Sequence, residues 1–110
     1  MALSRIAGEF AAEITHHDWS DAPYRIDRAG HQIEDDRPDR RTSQPLSTEE
    51  ATRIRTNVMW VVAQVLGHAD PNFSAVDFAR ACGVQFSDGI ILAGVRKDAD
   101  GRYQAPGTRL

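Results

Sequence analysis

Apolar residues recur every three or four positions in the first part of the chain, which is the spacing of one helix face. The pattern covers about residues 3–16, with charged residues between the apolar ones. His16 and His17 close it, and basic side chains suit the carboxyl end of a helix. The sequence therefore predicts an amphipathic first helix over residues 3–16.

Two later stretches carry the start and stop residues of helices. Ser47 and Glu50 have the spacing of a capping box, so a long helix is predicted from there to Gly67, a typical helix stop. Ser74 caps a third, shorter helix that Gly83 ends. The long helix can cross a small domain, and we predict that it forms the centre of the fold.

The second half of this central helix is apolar on all sides. Residues 58–63 contain no polar side chain apart from the indole nitrogen of Trp60. A helix that is apolar all round is typically buried. We therefore expect Trp60, Val61 and Val65 to be largely buried, and the substitution Val61→Ala to cost about 1–3 kcal/mol.

Two further segments combine strand-forming residues with turn residues. Residues 24–33 contain a turn at 27–30 that begins with Asp and ends with Gly, which is typical of a hairpin. The apolar run 90–95 is followed by a similar turn at 98–101 and a return segment. The expected fold class is therefore α+β: three helices, the second one central, and two β-hairpins that form a small antiparallel sheet.

The length of the chain indicates its domain organisation. With 110 residues it has the usual size of one domain, and we predict a single domain over 1–110. Residues 34–45 contain no apolar side chain other than proline, so about 34–46 is predicted to be a flexible loop. The tail from about residue 106 is predicted to be frayed.

Charge and cysteine content narrow the function classes. The net charge is −3 and the pI is about 5.7, so the molecule as a whole does not attract polyanions. Cys82 is the single cysteine, which excludes an intrachain disulfide and suits a reducing compartment. The amino terminus lacks a signal-peptide pattern, and no apolar run approaches the ~20 residues of a membrane span. A cytoplasmic protein without membrane contact is expected.

One short segment suggests a DNA-binding function. Residues 78–84, in which Ala79 stands four positions before Gly83, resemble the first helix and turn of helix-turn-helix proteins. With the predicted hairpins, the order of elements is similar to the winged-helix variant of that family. The resemblance implies that the last hairpin is a wing and that phosphates are contacted by basic residues of this region: Arg80, Arg96, Lys97 and Arg102.

Two features weaken the DNA-binding interpretation. The segment that should follow as the recognition helix, residues 85–94, contains no basic residue. At the tip of the wing, Asp98 and Asp100 offset two of the three basic charges, which leaves a net charge of only +1. Nucleic-acid binding is therefore the second-ranked function.

No pattern of metal ligands or catalytic residues is complete in the sequence. Glu13 lies one helical turn before His16 and His17, but metal sites built on such a pair need a second copy that the chain lacks. His31, His68 and Cys82 have no zinc-finger spacing. We therefore predict no metal, no cofactor and no catalytic residue, and leave the roles of these histidines and of the cysteine open.

Aromatic residues in polar loops indicate binding to a protein. Trp19 and Tyr24 flank Pro23, and Phe73 follows another proline-containing loop. Aromatic residues of this kind are common contact residues in protein interfaces. The first-ranked hypothesis is a non-enzymatic protein-binding or regulatory protein of undetermined oligomeric state, with Trp19, Tyr24 and Phe73 at the interface. A winged-helix-like DNA-binding regulator is the alternative, and a small metal-dependent enzyme is the third.

Overall fold

Four α-helices form the described part of the molecule. The computed structural model describes residues 3–110. Its helices are α1 (Arg5–His16), α2 (Thr48–Ala69), α3 (Ala75–Ala81) and α4 (Asp88–Ala93). Helix α1 packs on α2 and α3, α2 packs on α3, and α4 packs on α3. The long segment between α1 and α2 contains three single 3-10 turns rather than longer elements.

The predicted first helix is confirmed, with a start two residues later than expected. The Ser4 side chain accepts a hydrogen bond from the backbone N–H of Ala7 and so caps α1. Ala7, Ala11 and Ile14 form the buried face, whereas Ile6 and Phe10, which the apolar periodicity placed with them, are 54% and 43% exposed.

The predicted capping box of the central helix is also confirmed, whereas its predicted end is wrong. Ser47 and Glu50 exchange both hydrogen bonds of the box. The helix continues through Gly67 and ends at Ala69. A Cβ at Gly67 would lie 2.5 Å from the ring of Tyr103, so this glycine allows close packing and does not stop the helix.

The third helix forms as predicted, and its residues supply much of the core. The Ser74 side chain caps α3 by accepting from the N–H of Asp77, and Gly83 follows the helix with a φ of +81°. The fully buried core draws on all four helices and on the turn that follows α3: Ala7, Ala11, Met59, Ala63, Ala75, Phe78, Ala79, Cys82, Val84 and Ile91.

The expected β-sheet is wrong, and the fold class is all-α. Residues 3–110 contain no β-strand, and the predicted second hairpin is reduced to a single bridge between Lys97 and Tyr103. The apolar run that suggested a strand forms α4 instead. The Ser87 side chain accepts from the N–H of Ile90 and caps this helix. This local cap and the burial of Ile91 outweigh the β-preference of the isoleucines.

The predicted first hairpin, residues 24–33, is also wrong. A 3-10 turn at Ala22–Tyr24 and another at Ile33–Asp35 flank an irregular segment. Ile26, which should have faced the sheet, is 98% exposed. Gly30 has a positive φ, as expected for a turn, but the described residues contain no strand with which the segment could pair.

The expected burial of the second half of α2 is wrong for two of three residues. Val61 is 70% exposed and Val65 is 48% exposed, while Trp60 is half-buried and packs against the core. The other elements do not cover α2 on all sides: Met59 and Ala63 are fully buried, whereas Val61 and Val65 remain in contact with solvent. An apolar surface is therefore left without cover in the isolated chain.

Candidate functional site

The uncovered side of α2 carries a regular row of aliphatic residues. Ile54, Val58, Val61 and Val65 follow one another at spacings of four, three and four positions. This is the spacing that coiled-coil helices present to a partner. Ile54 and Val58 are half-buried, while Val61 and Val65 are exposed. We refer to these four residues as the outer α2 face.

Polar contacts fix the orientation of α2 so that Val61 and Val65 are exposed, while Val58, at the edge of the outer α2 face, packs partly against the core. Trp60 donates from its indole nitrogen to the carbonyl oxygen of Ile91 at 3.0 Å. The buried side chain of Gln64 donates to the carbonyl oxygens of Arg96 and Gln104 and accepts from the N–H of Arg96. These bonds attach α4 and the C-terminal segment to one flank of α2, which prevents rotation of the helix about its axis.

The middle of α2 contains no charged side chain that would favour exposure of this face to water. Residues 56–67 contain no Asp, Glu, Lys or Arg. Exposed helix faces of water-soluble monomers are normally polar or charged. The absence of charge over three turns, combined with exposed valines, is typical of a surface that another molecule covers.

Other exposed apolar side chains are arranged in smaller groups. Ile6 (54% exposed) and Phe10 (43% exposed) lie one turn apart on α1. Ile90 and Leu92 are exposed on α4. None of these pairs extends over the three helical turns that the outer α2 face spans.

The three aromatic residues assigned to a partner surface lie in different environments. The indole of Trp19 packs against the ring of His17 in a tilted arrangement, with ring centres 4.3 Å apart, and donates to the carbonyl oxygen of Ile14. Phe73 packs against Phe78 in the core. Tyr24 alone of the three is exposed, at 56%. The sequence pattern therefore selected aromatic residues in polar loops as interface candidates. It did not select the outer α2 face, because apolar residues in a helix were expected to be buried.

The winged-helix expectation is wrong, because the described residues contain no strand from which a wing could be built. Helices α3 and α4 do follow one another across a turn, as the helix-turn-helix resemblance implied, but α4 has only six residues and begins with Asp88. Arg80 is held by Asp88 at 3.0 Å and by the carbonyl oxygen of Val84. Lys97 lies over the ring of Tyr103. Arg96 is half-buried, and Arg102 is exposed.

A cavity of about 840 Å³ lies between the end of α2 and the C-terminal turn. Two of its polar side chains form hydrogen bonds with backbone groups of this turn. The Asp98 carboxylate accepts from the N–H groups of Asp100 and Arg102. Nδ1 of His68 contacts the carbonyl oxygen of Tyr103. The side chains of Asp98 and His68 are thus hydrogen-bonded to backbone groups of the C-terminal turn.

The candidate metal ligands of the sequence do not form one cluster, although the ring centres of His17 and His31 lie 6.2 Å apart. Cys82 is fully buried in the core, and burial raises the pKa of its thiol to about 12, although Arg55 partly opposes this rise. His16 and His68 are exposed at the ends of α1 and α2. Nδ1 of His17 accepts a hydrogen bond from the N–H of Gly30.

His31 lies in a network of aspartates that the sequence did not reveal. Its Nε2 is 2.9 Å from Oδ2 of Asp21, and its Nδ1 is 2.8 Å from Oδ2 of Asp27. Oδ2 of Asp36 is 3.8 Å from Nε2 and accepts a hydrogen bond from Arg25 at 2.5 Å. The side chains of His31 and Asp21 are about 95% buried. These residues lie in an irregular loop, so their spacing in the sequence did not indicate that they come together.

Hydrogen bonds and charges in this network lower the pKa of two carboxyl groups. The hydrogen bond from the N–H of Arg28 lowers the pKa of Asp27, and the charges of Arg25 and His31 add to that effect. For Asp18, burial raises the pKa, but hydrogen bonds from Ser20 and Ile33 more than offset it, so that the pKa lies below its usual value. Both carboxylates are therefore ionised at neutral pH.

Comparison of the chain with protein-family models, with curated proteins and with solved structures finds no match. No helix of the described residues is both long and apolar enough to cross a membrane. Functional conclusions therefore rest on the geometry described above.

Proposed function

We propose that this chain is a non-enzymatic protein-binding protein and that its outer α2 face binds the same face of a second copy of the chain. The observation that carries the proposal is the exposed row of Val61 and Val65 on a helix stretch without charge. Covering each valine contributes about 1–2 kcal/mol, given its exposed fraction and the value of a fully buried side chain.

The symmetry of the row supports a second copy as the partner. A two-fold axis between Val58 and Val61 places these two residues opposite each other across the interface. The same axis places Ile54 opposite Val65, so every aliphatic side chain meets an aliphatic one. Such an isologous interface needs only one patch on each molecule.

The charges on α2 favour an antiparallel arrangement of the two helices. The charged residues of α2 lie in its first half, for example Glu50 and Arg53. In an antiparallel pair, these residues lie at opposite ends of the interface, so that like charges are not placed opposite each other. The helix dipoles also oppose each other in this arrangement.

The size of the interface sets the expected affinity. The outer α2 face extends over eleven residue steps, or about 17 Å of helix. A contact of this length is at the small end of specific interfaces, so we expect a dissociation constant of roughly micromolar magnitude.

Sedimentation velocity over a range of protein concentrations tests the proposal. The wild-type chain is expected to pass from monomer to dimer as its concentration rises through the micromolar range. Val61→Lys places a charge at the centre of the interface and is expected to leave a folded monomer at all of these concentrations.

Ile26→Lys is the matched control, because it exchanges an exposed aliphatic residue for lysine outside the outer α2 face. It is expected to dimerise like the wild type. Circular dichroism checks that both variants are folded. A wild-type chain that stays monomeric up to about 1 mM, or a Val61→Lys variant that still dimerises, contradicts the proposal.

A further inference from the structure

We propose that Asp21, His31 and Asp36 bind a divalent metal ion of the zinc type through two carboxylate oxygens and the Nε2 atom of the imidazole. This inference does not depend on the proposed dimer, because the three residues lie in the loop between α1 and α2. One imidazole with two carboxylates is a ligand set that zinc accepts, together with water in the remaining position.

The three ligand atoms have the separations that a metal ion needs. Nε2 of His31 is 2.9 Å from Oδ2 of Asp21 and 3.8 Å from Oδ2 of Asp36. All three atoms lie within 4.8 Å of one another. Ligands bound tetrahedrally at the usual zinc distances are about 3.3 Å apart. The two distances from Nε2 lie on either side of that value, so small movements bring these two pairs to the separation of metal ligands.

A second carboxylate already orients the histidine ring. Nδ1 of His31 is 2.8 Å from Oδ2 of Asp27. Metal-binding histidines commonly donate their other ring N–H to a carboxylate, which fixes the orientation of the ring. Asp27 occupies this position, so the network contains an orienting residue in addition to a set of acids. Nε2 is hydrogen-bonded to Asp21 in the metal-free chain, so it releases its proton when it binds the ion.

The charge of the network also favours a cation. Four carboxylates, those of Asp18, Asp21, Asp27 and Asp36, surround His31 or interact with it. Arg25 is the partly buried cation within the network. Even with a protonated imidazole, negative charge is in excess, and Asp21 is almost fully buried. A buried excess of negative charge is costly, and a divalent ion compensates it.

Arg25 occupies part of the position that the metal needs. Its guanidinium donates to Oδ2 of Asp36 at 2.5 Å and to Oδ2 of Asp27 at 3.1 Å. Metal binding releases Asp36 from Arg25, while the contact with Asp27 can remain. Arg25 is therefore a competitor of the metal, and its removal should tighten metal binding. A purely structural ion-pair network does not predict this effect.

A route for the ion to the site is present. A cavity of about 210 Å³ is lined by Asp21, Asp27, His31 and neighbouring residues, and a second cavity of about 290 Å³ is lined by Asp27, His31 and Asp36. The three ligands are separated along an irregular loop with few core contacts. A metal that joins them would stabilise the folded loop, since binding energy at such a site is also folding energy.

Isothermal titration of the chelator-treated chain with zinc chloride tests the site. One zinc ion per chain is expected for the wild type and for the controls His16→Gln and His68→Gln, which remove exposed histidines. The variants Asp21→Asn, Asp36→Asn and His31→Gln are expected to lose this binding. Circular dichroism checks that the variants are folded. If the variants at the more buried Asp21 and His31 do not fold, Asp36→Asn still tests the site.

Two further variants separate a built site from adventitious binding. Asp27→Asn is expected to weaken zinc binding by roughly 10- to 100-fold, as expected for the loss of an orienting carboxylate. Arg25→Gln is expected to strengthen it severalfold. The proposal is wrong if the wild type binds no zinc more tightly than about 0.1 mM, if binding follows His16 or His68 instead, or if Arg25→Gln weakens it.

Discussion

The indole nitrogen of Trp60 donates to the carbonyl oxygen of Ile91 at 3.0 Å, which joins the middle of α2 to α4. Gly94 lies against the same indole ring, where a Cβ would overlap ring atoms. The φ of Gly94 is −86°, which any residue adopts. The close approach of the ring, and not backbone conformation, therefore requires glycine at this position.

Gly94→Ala is expected to destabilise the fold by about 1–3 kcal/mol, because the added methyl group forces the Trp60 ring from its place. Urea unfolding followed by circular dichroism measures the loss. Gly89→Ala is the control, since no atom lies within 4 Å of a Cβ there and alanine favours the helix. Equal stability of the two variants would show that the ring does not pack as described.

Gln64→Leu is expected to cost about 2–4 kcal/mol. The substitution removes three hydrogen bonds and leaves the N–H of Arg96 without its partner, whereas the carbonyl oxygen of Arg96 keeps the bond from the N–H of Gln104. Amide exchange of Arg96, measured by NMR, should accelerate together with the loss of stability. Gln85→Leu makes the same change at an exposed position and should alter neither quantity.

Val61→Ala is expected to change the stability of the dilute, monomeric chain by no more than about 0.5 kcal/mol, because Val61 is 70% exposed. Met59→Ala, two positions away and fully buried, is expected to cost about 2–5 kcal/mol. Thermal or urea unfolding at low protein concentration compares them. A large loss of stability in Val61→Ala would show that Val61 is buried, as the sequence predicted, and would contradict its observed exposure.

The thiol of Cys82 is expected to be unreactive in the folded chain. Burial raises its pKa from the usual 9.0 to about 12, which lowers the thiolate fraction about a thousandfold at pH 8. A chromogenic disulfide reagent should react with it only at the rate of unfolding, and at once in denaturant. Rapid labelling of the native chain would show that the core around Cys82 is open.

Local signals in the sequence predicted the ends of helices well. The caps at Ser47 and Ser74 depend on hydrogen bonds within a few residues, so a short pattern is sufficient to identify them. The stop assigned to Gly67 failed because the glycine is required by a contact with Tyr103, which is distant in sequence.

Features that depend on tertiary context could not be predicted. The isoleucines of α4 favour strands in isolation, but a strand needs a neighbour, and the described chain supplies none. Exposure of Val61 was missed because apolar character does not show whether a second molecule supplies the cover. The His31 network joins residues spaced irregularly along a loop, where no periodicity relates them.

The most direct test of the proposed function is an isotope-filtered NOE measurement on a mixed sample of labelled and unlabelled chains at a concentration above the dissociation constant. Intermolecular NOEs are expected between the methyl groups of Val58 and Val61, and between those of Ile54 and Val65. An absence of intermolecular NOEs at these residues, or their presence only on another surface, would contradict the proposed dimer.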